Sequence, residues 1–122
     1  MFVILLLIFQ FPVVNEVMED PLGPESGSHS PGDCNEYVEI FNPGPDTVDL
    51  SLFYLADTRE KDYLKAFDDS SILEVYPEVV LSTIVPPDKF ALILDQEYGS
   101  ADSPYRFPYE IKEGTRLIAT LD

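Results

Sequence analysis

The spacing of apolar and polar positions along the chain predicts short strands separated by proline-rich turns. Val13-Val14-Asn15-Glu16-Val17-Met18 is one such run. Glu36-Tyr37-Val38-Glu39-Ile40-Phe41 is a second, closed by the turn Asn42-Pro43-Gly44-Pro45-Asp46. In Thr47–Leu55 the period is two: Val48, Leu50, Leu52 and Tyr54 fall on one face, Asp49 and Ser51 on the other. A half-buried antiparallel strand requires that alternation. Further strands are predicted at Val79-Val80-Leu81, at Phe90–Leu94 after the turn Pro86-Pro87-Asp88-Lys89, and at Arg116–Leu121. Residues 60–67 read instead as one or two helical turns, with Tyr63, Leu64 and Phe67 on one side. Short strands with Pro/Gly turns argue an all-β chain, and an antiparallel sandwich within that class.

Two segments stand outside this pattern. Residues 2–9 are uninterruptedly apolar, and Gln10-Phe11-Pro12 ends the run. A bilayer span needs about 20 residues, so the run is too short to cross a membrane and fits the core of a secretory signal peptide. No Lys or Arg precedes it and no Ala-x-Ala-like site follows. The alternatives are a mis-set start or a buried first strand running on into Val13-Val14. The domain division is therefore a signal-like segment at 1–12 and a folded domain over 13–122. Residues 19–35, with almost nothing apolar, read as a long irregular loop.

The length of 122 residues allows one domain. The 23 acids against 7 Lys plus Arg give a net charge of −16. A field of that sign repels phosphates and anionic headgroups, which argues against nucleic-acid and membrane-surface binding. The charge is uneven: every acid up to Asp57 precedes the first base, Arg59. An apolar content of 45% is enough for a core and argues against a disordered acidic chain.

Candidate chemistry is sparse. One cysteine, Cys34, excludes an intrachain disulfide, and one histidine, His29, excludes two-histidine zinc motifs. Both lie in the Gly/Pro/Ser loop, where nothing holds them as a nucleophilic pair. Gly-x-Ser-x-Gly and the P-loop signature are absent. Glu39 shares a strand face with Tyr37 and Phe41, and Glu16 lies in an apolar strand, so both carboxylates are expected to be at least partly buried. They then need hydrogen bonds, a later Arg, or a metal. The metal reading is calcium held by Glu16, Glu36, Glu39 or Asp33. Tyr98, Tyr105, Phe107 and Tyr109 sit among Gly and Pro, either capping the domain or stacking on sugars or peptides. These readings assign no catalytic residue, metal ligand or cofactor.

Four ordered motifs resemble the lamin-tail domain. Val13–Pro21 is similar to that family's opening strand, apolar-Asn-Glu-apolar followed by Asp-Pro. Asn35–Asn42 is similar to its second motif, Val48–Asp57 to its third and Ile84–Leu94 to its fourth. Tyr37 stands where Trp is common, Leu52-Phe53 where Gly-Trp is frequent, and Asp88 where Gly often closes the turn. The resemblance implies an immunoglobulin-like antiparallel β-sandwich, here lacking its last strands. It also implies a non-catalytic binding or tethering module of the exported prokaryotic type, secreted or in the cell envelope. Its partner would be a protein or cell-surface component, with no nucleic acid and no membrane span in the mature chain. Two other readings stay open: the N-terminal part of an exported hydrolase or nuclease, or a calcium-stabilised adhesion module.

Overall fold

The computed structural model describes residues 11–18, 37–56, 61–94 and 110–121. Among these residues eight strands run in the order β1 (Val13–Met18), β2 (Tyr37–Phe41), β3 (Val48–Asp49), β4 (Tyr54–Ala56), β5 (Lys61–Ala66), β6 (Ile84–Val85), β7 (Phe90–Leu94) and β8 (Arg116–Leu121). A 3₁₀ turn, Leu50–Leu52, separates β3 from β4, and a one-turn helix, α1 (Ile72–Val75), follows β5. The fold class is all-β. Six strands form one sheet in the order β1-β2-β7-β8-β5-β4, and β3 pairs with β6 in a separate two-stranded ladder.

The sheet is mixed rather than wholly antiparallel, because β7 and β8 pair in parallel, Leu92 opposite Leu117 and Ile93 opposite Ile118. A parallel pair requires a crossover of a dozen or more residues, and Leu94 and Arg116 are far enough apart in sequence to allow one. These two strands are central and buried on both faces. That is why Phe90-Ala91-Leu92-Ile93-Leu94 is an unbroken apolar run with no alternation. Leu92, Leu94, Leu117 and Ala119 point into one core with Tyr37, Phe67 and Ile72 of α1. Ala91, Ile93 and Ile118 point into the other, with Ile40, Leu64, Leu50 and Val85.

The expected strand over Thr47–Leu55 is interrupted. Asp49 accepts hydrogen bonds from the Ser51 backbone N–H at 3.0 Å and the Ser51 hydroxyl at 2.8 Å. A short acidic side chain that bonds the backbone two residues on competes with the ladder and turns the chain. Leu50 is consequently buried at 2% exposure while Leu52 stands out at 81%, although alternation places them together.

The expected helix over 60–67 is strand β5, paired with β4 and β8. Leu64 enters one core, Phe67 the other, and Tyr63 is exposed. Opposite-facing neighbours are the strand arrangement; tertiary pairing overrides the local helical spacing. The strand expected at Val79-Val80-Leu81 reduces to a single parallel bridge between Val80 and Arg116.

Two turns lock the end of β2 to the start of β7. The Asn42 backbone N–H donates to the Lys89 carbonyl at 3.0 Å, and the Asp88 N–H donates to the Asn42 carbonyl at 2.8 Å. Asp88 sits at φ +62°, the left-handed conformation for which Gly is the usual residue. Next to this lock the Phe41 and Phe90 rings lie 4.9 Å apart, and the Lys112 ammonium caps Phe90 at 4.0 Å.

Candidate functional site

β1 is one edge of the large sheet and β4 the other. β1 is paired with β2 through a bulge at Asn15: Val14 lies opposite Ile40 and Glu16 opposite Glu39, so Asn15 is the extra residue. Around the bulge each of the two facing carboxylates receives one polar side chain. Asn15 Nδ2 donates to Glu39 Oε1 at 2.6 Å, and the Tyr37 hydroxyl bonds the Glu16 carboxylate. Burial of the Tyr37 ring, that bond, and the charges of Glu16 and Glu39 push the Tyr37 phenol up to about 12.

The expected burial of the two acids holds for one of them. Glu39 is half-buried and Glu16 is exposed, because Glu16 lies on an edge strand whose outer side has no neighbour among the described residues. Neither acid pairs with a Lys or Arg among the described residues. The hydrogen bonds expected from backbone N–H groups or a later Arg come instead from an asparagine amide and a tyrosine hydroxyl. No group of three or more His, Cys, Asp or Glu side chains lies together as a metal would need, among the described residues. Asp33, Glu36, His29, Cys34, Tyr98, Tyr105, Phe107 and Tyr109 lie outside the described residues, as do the apolar run at 2–9 and the loop at 19–35.

The other feature at these edges is an apolar cleft of about 180 Å³. Phe11, Pro12 and Val14 form one wall, contributed by β1 and its approach. Phe53, Tyr54 and Leu55 form the other, contributed by β4 and its approach. Ile40, Leu50, Leu64 and Ile93 line the floor, so the cleft opens directly onto one of the two cores. Both sheet edges therefore face the same gap.

Its walls are apolar and accessible, with Phe11 exposed at 66% and Val14 at 55%. Among the described residues the lining carries no carboxylate, imidazole or thiol, and what it offers is contact surface. Pockets for small molecules and cofactors typically run to about 300–1,000 Å³. A cleft of this size suits one or two side chains of a partner.

The Asp49 turn holds the second wall in place. Besides its bonds to Ser51, Asp49 accepts from the Thr83 hydroxyl at 2.9 Å, while the Leu50 N–H donates to the Thr83 carbonyl at 2.9 Å. The Ser51 hydroxyl and backbone bonds, with that from Thr83, hold the Asp49 carboxyl below the usual carboxylate range. The turn thereby sets Leu50 in the floor and Phe53 at the rim. On β4, Tyr54 meets Tyr63 edge-on at 6.1 Å, and Lys61 lies 4.9 Å over the Tyr54 ring.

No family model matches the chain, and neither the curated proteins nor the solved structures contain a significant match. Among the described residues no helix is long and apolar enough to cross a membrane.

The cleft leaves no periodic pattern in the sequence, because its walls come from segments distant along the chain, residues 11–14 and 53–55, that meet only through the fold. The local cue in the sequence is the pair of apolar ring-bearing dipeptides beside the strands, Phe11-Pro12 and Phe53-Tyr54.

Proposed function

We propose that the chain is a non-catalytic binding or tethering module of an exported or cell-surface protein, built on an immunoglobulin-like sandwich of the lamin-tail kind. The observation that carries the binding reading is the open apolar cleft bounded by both edge strands. Contiguous exposed apolar surface at an edge is a liability unless something covers it, and Phe11, Val14, Phe53 and Tyr54 concentrate it in one place. The four ordered motifs support the family assignment, and the apolar run before β1 supports export.

Selection from a random peptide library on the immobilised protein tests the reading. Enriched peptides are expected to lose affinity at least tenfold for Phe53→Ser, a substitution at the cleft rim. A library that yields no enriched sequence, or one whose products ignore that substitution, counts against a binding role. For export, mass spectrometry of the protein recovered outside the cell is expected to show loss of the first residues. Recovery with Met1 intact would oppose a cleaved signal.

A further inference from the structure

We propose that β1 accepts an extended peptide of alternating apolar and basic residues as an added strand of the sheet. The inference rests on the binding reading above and names the class of partner.

The backbone supplies the first part of the argument. Among the described residues β1 pairs only with β2, so every second N–H and C=O along its outer side is turned away from the described strands. Natural edges are blunted by Pro, by charged side chains, especially Lys, and by bulges. Val13–Met18 contains no Lys or Pro. Its bulge at Asn15 interrupts the edge but leaves pairing stretches on both sides, and its one charged side chain, Glu16, repels an acidic strand and attracts a basic one.

The two faces of β1 then dictate the side chains of the incoming strand. Val14 and Val17 lie opposite Ile40 and Val38, on the face that opens into the cleft. Glu16 lies opposite Glu39 on the other face. A strand laid alongside presents its side chains alternately to these faces. Apolar residues would meet Val14, Val17 and the cleft, and the residues between them would meet two adjacent carboxylates. Those carboxylates have only neutral partners among the described residues, Asn15 and Tyr37. A lysine or arginine in the added strand supplies the missing counter-charge.

Charge also decides against a second copy of the chain as occupant. Each copy carries −16, so pairing β1 with another β1 brings two strongly negative surfaces, and their glutamates, together. A basic strand is attracted by the same field. This mode of recognition takes affinity from main-chain hydrogen bonds and specificity from alternate side chains.

Fluorescence anisotropy with labelled synthetic peptides tests the proposal on the full chain. The probes are a seven-residue Val/Lys alternating peptide, its Val/Glu counterpart, a block peptide of Val/Lys composition, and two forms N-methylated at alternate residues, one per register. The alternating Val/Lys peptide is expected to bind at least tenfold more tightly than the Val/Glu and block peptides. One of the two N-methylated forms is expected to lose binding, because methyl groups on the paired side abolish the ladder. Glu16→Lys should weaken the Val/Lys peptide at least tenfold and Glu16→Gln by less, with melting temperatures confirming that both variants are folded. Amide shifts in an NMR titration should centre on β1.

Equal affinity for the Val/Lys and Val/Glu peptides, indifference to Glu16→Lys, or indifference to both methylation patterns would overturn the inference. If library peptides that depend on Phe53 are found together with any of those results, the cleft binds but not by strand addition. If no Phe53-dependent peptide exists at all, the binding reading itself fails. Sedimentation showing a dimer that excludes the Val/Lys peptide would give β1 to a second copy and overturn the proposal.

Discussion

The side chain of Asn42 donates from Nδ2 to the backbone carbonyl of Val85 at 2.8 Å, joining positions 43 residues apart. The same nitrogen donates to the Asp46 carbonyl at 2.8 Å, and Oδ1 accepts from the Gly44 N–H at 2.9 Å. With 1% exposure, the amide has traded water for three protein partners. Its neighbours have done the same, so removing the amide strands them. Asn42→Ala is expected to cost about 2–4 kcal/mol, the order set by leaving buried polar groups unpaired. Asn42→Asp should cost a comparable amount, since a carboxylate cannot donate to two carbonyls. Urea unfolding with an unchanged slope and a lowered midpoint would show it.

Gly44 closes the same turn at φ +82°, and a Cβ there would come 3.1 Å from the Cβ of Pro87. Gly44→Ala is expected to destabilise by about 1–2 kcal/mol through the left-handed backbone and the contact together. Asp88 adopts a similar backbone without glycine, so Asp88→Gly should leave the midpoint level or raise it. Paired melting curves of the two variants would decide.

β5 offers a direct test of strand against helix. Leu64 is buried beside Ile118 and Ile93, whereas its neighbour Tyr63 is exposed. Leu64→Ala is expected to cost about 2–5 kcal/mol and Tyr63→Ala less than about 1 kcal/mol. Comparable losses at both positions would contradict the opposite facing of these side chains.

The Tyr37 phenol carries a pH dependence with a defined sign. Burial, the bond to Glu16 and the two nearby carboxylates raise it to about 12, against about 10 in the unfolded chain. Between those values the unfolded chain has released its proton while the folded chain retains it. The stabilisation is therefore complete below about pH 10 and is lost as the pH climbs toward 12. Denaturation midpoints should fall over that window in the native sequence and fall less in Tyr37→Phe. In Glu16→Gln, the Tyr37 resonance should titrate at lower pH than in the native sequence.

How much of this was legible in the sequence depends on which residues are considered. β1, β7 and β8 stand at the limits read from their apolar runs, because those runs are long and bounded by turn residues. β4 and β5 were not, since their conformation is decided by pairing with each other and with β8. Tyr63, Leu64 and Phe67 share one helical face, yet in the structure Leu64 and Phe67 enter opposite cores while Tyr63 stays exposed, and nothing local separates the two arrangements. The Asp49 turn shows the converse: one local hydrogen-bonding side chain overrode a clean alternation. Within the candidate site, Glu39 and Asn15 were visible as polar positions in strands. Their contact depends on a bulge, which leaves no mark on composition or period. The position of Asp88 was a readable cue, being a residue that tolerates the left-handed conformation where glycine is usual.

The placement of β8 has a consequence for how the chain is made. Residues 116–121 are synthesised after every other described strand, yet they lie between β7 and β5 and are what joins them. Until Arg116 leaves the ribosome, the described strands of the large sheet can form only a three-strand piece, β1-β2-β7, and a two-strand piece, β5-β4. Each then has an open flank, and one core lacks Leu117 and Ala119 while the other lacks Ile118. Closure is a late event that waits for a segment distant in time from its partners, and the interval is one of exposure to aggregation and chaperone capture. A frameshift or stop that removes these few residues acts as a core deletion: such a product should show no cooperative melting transition.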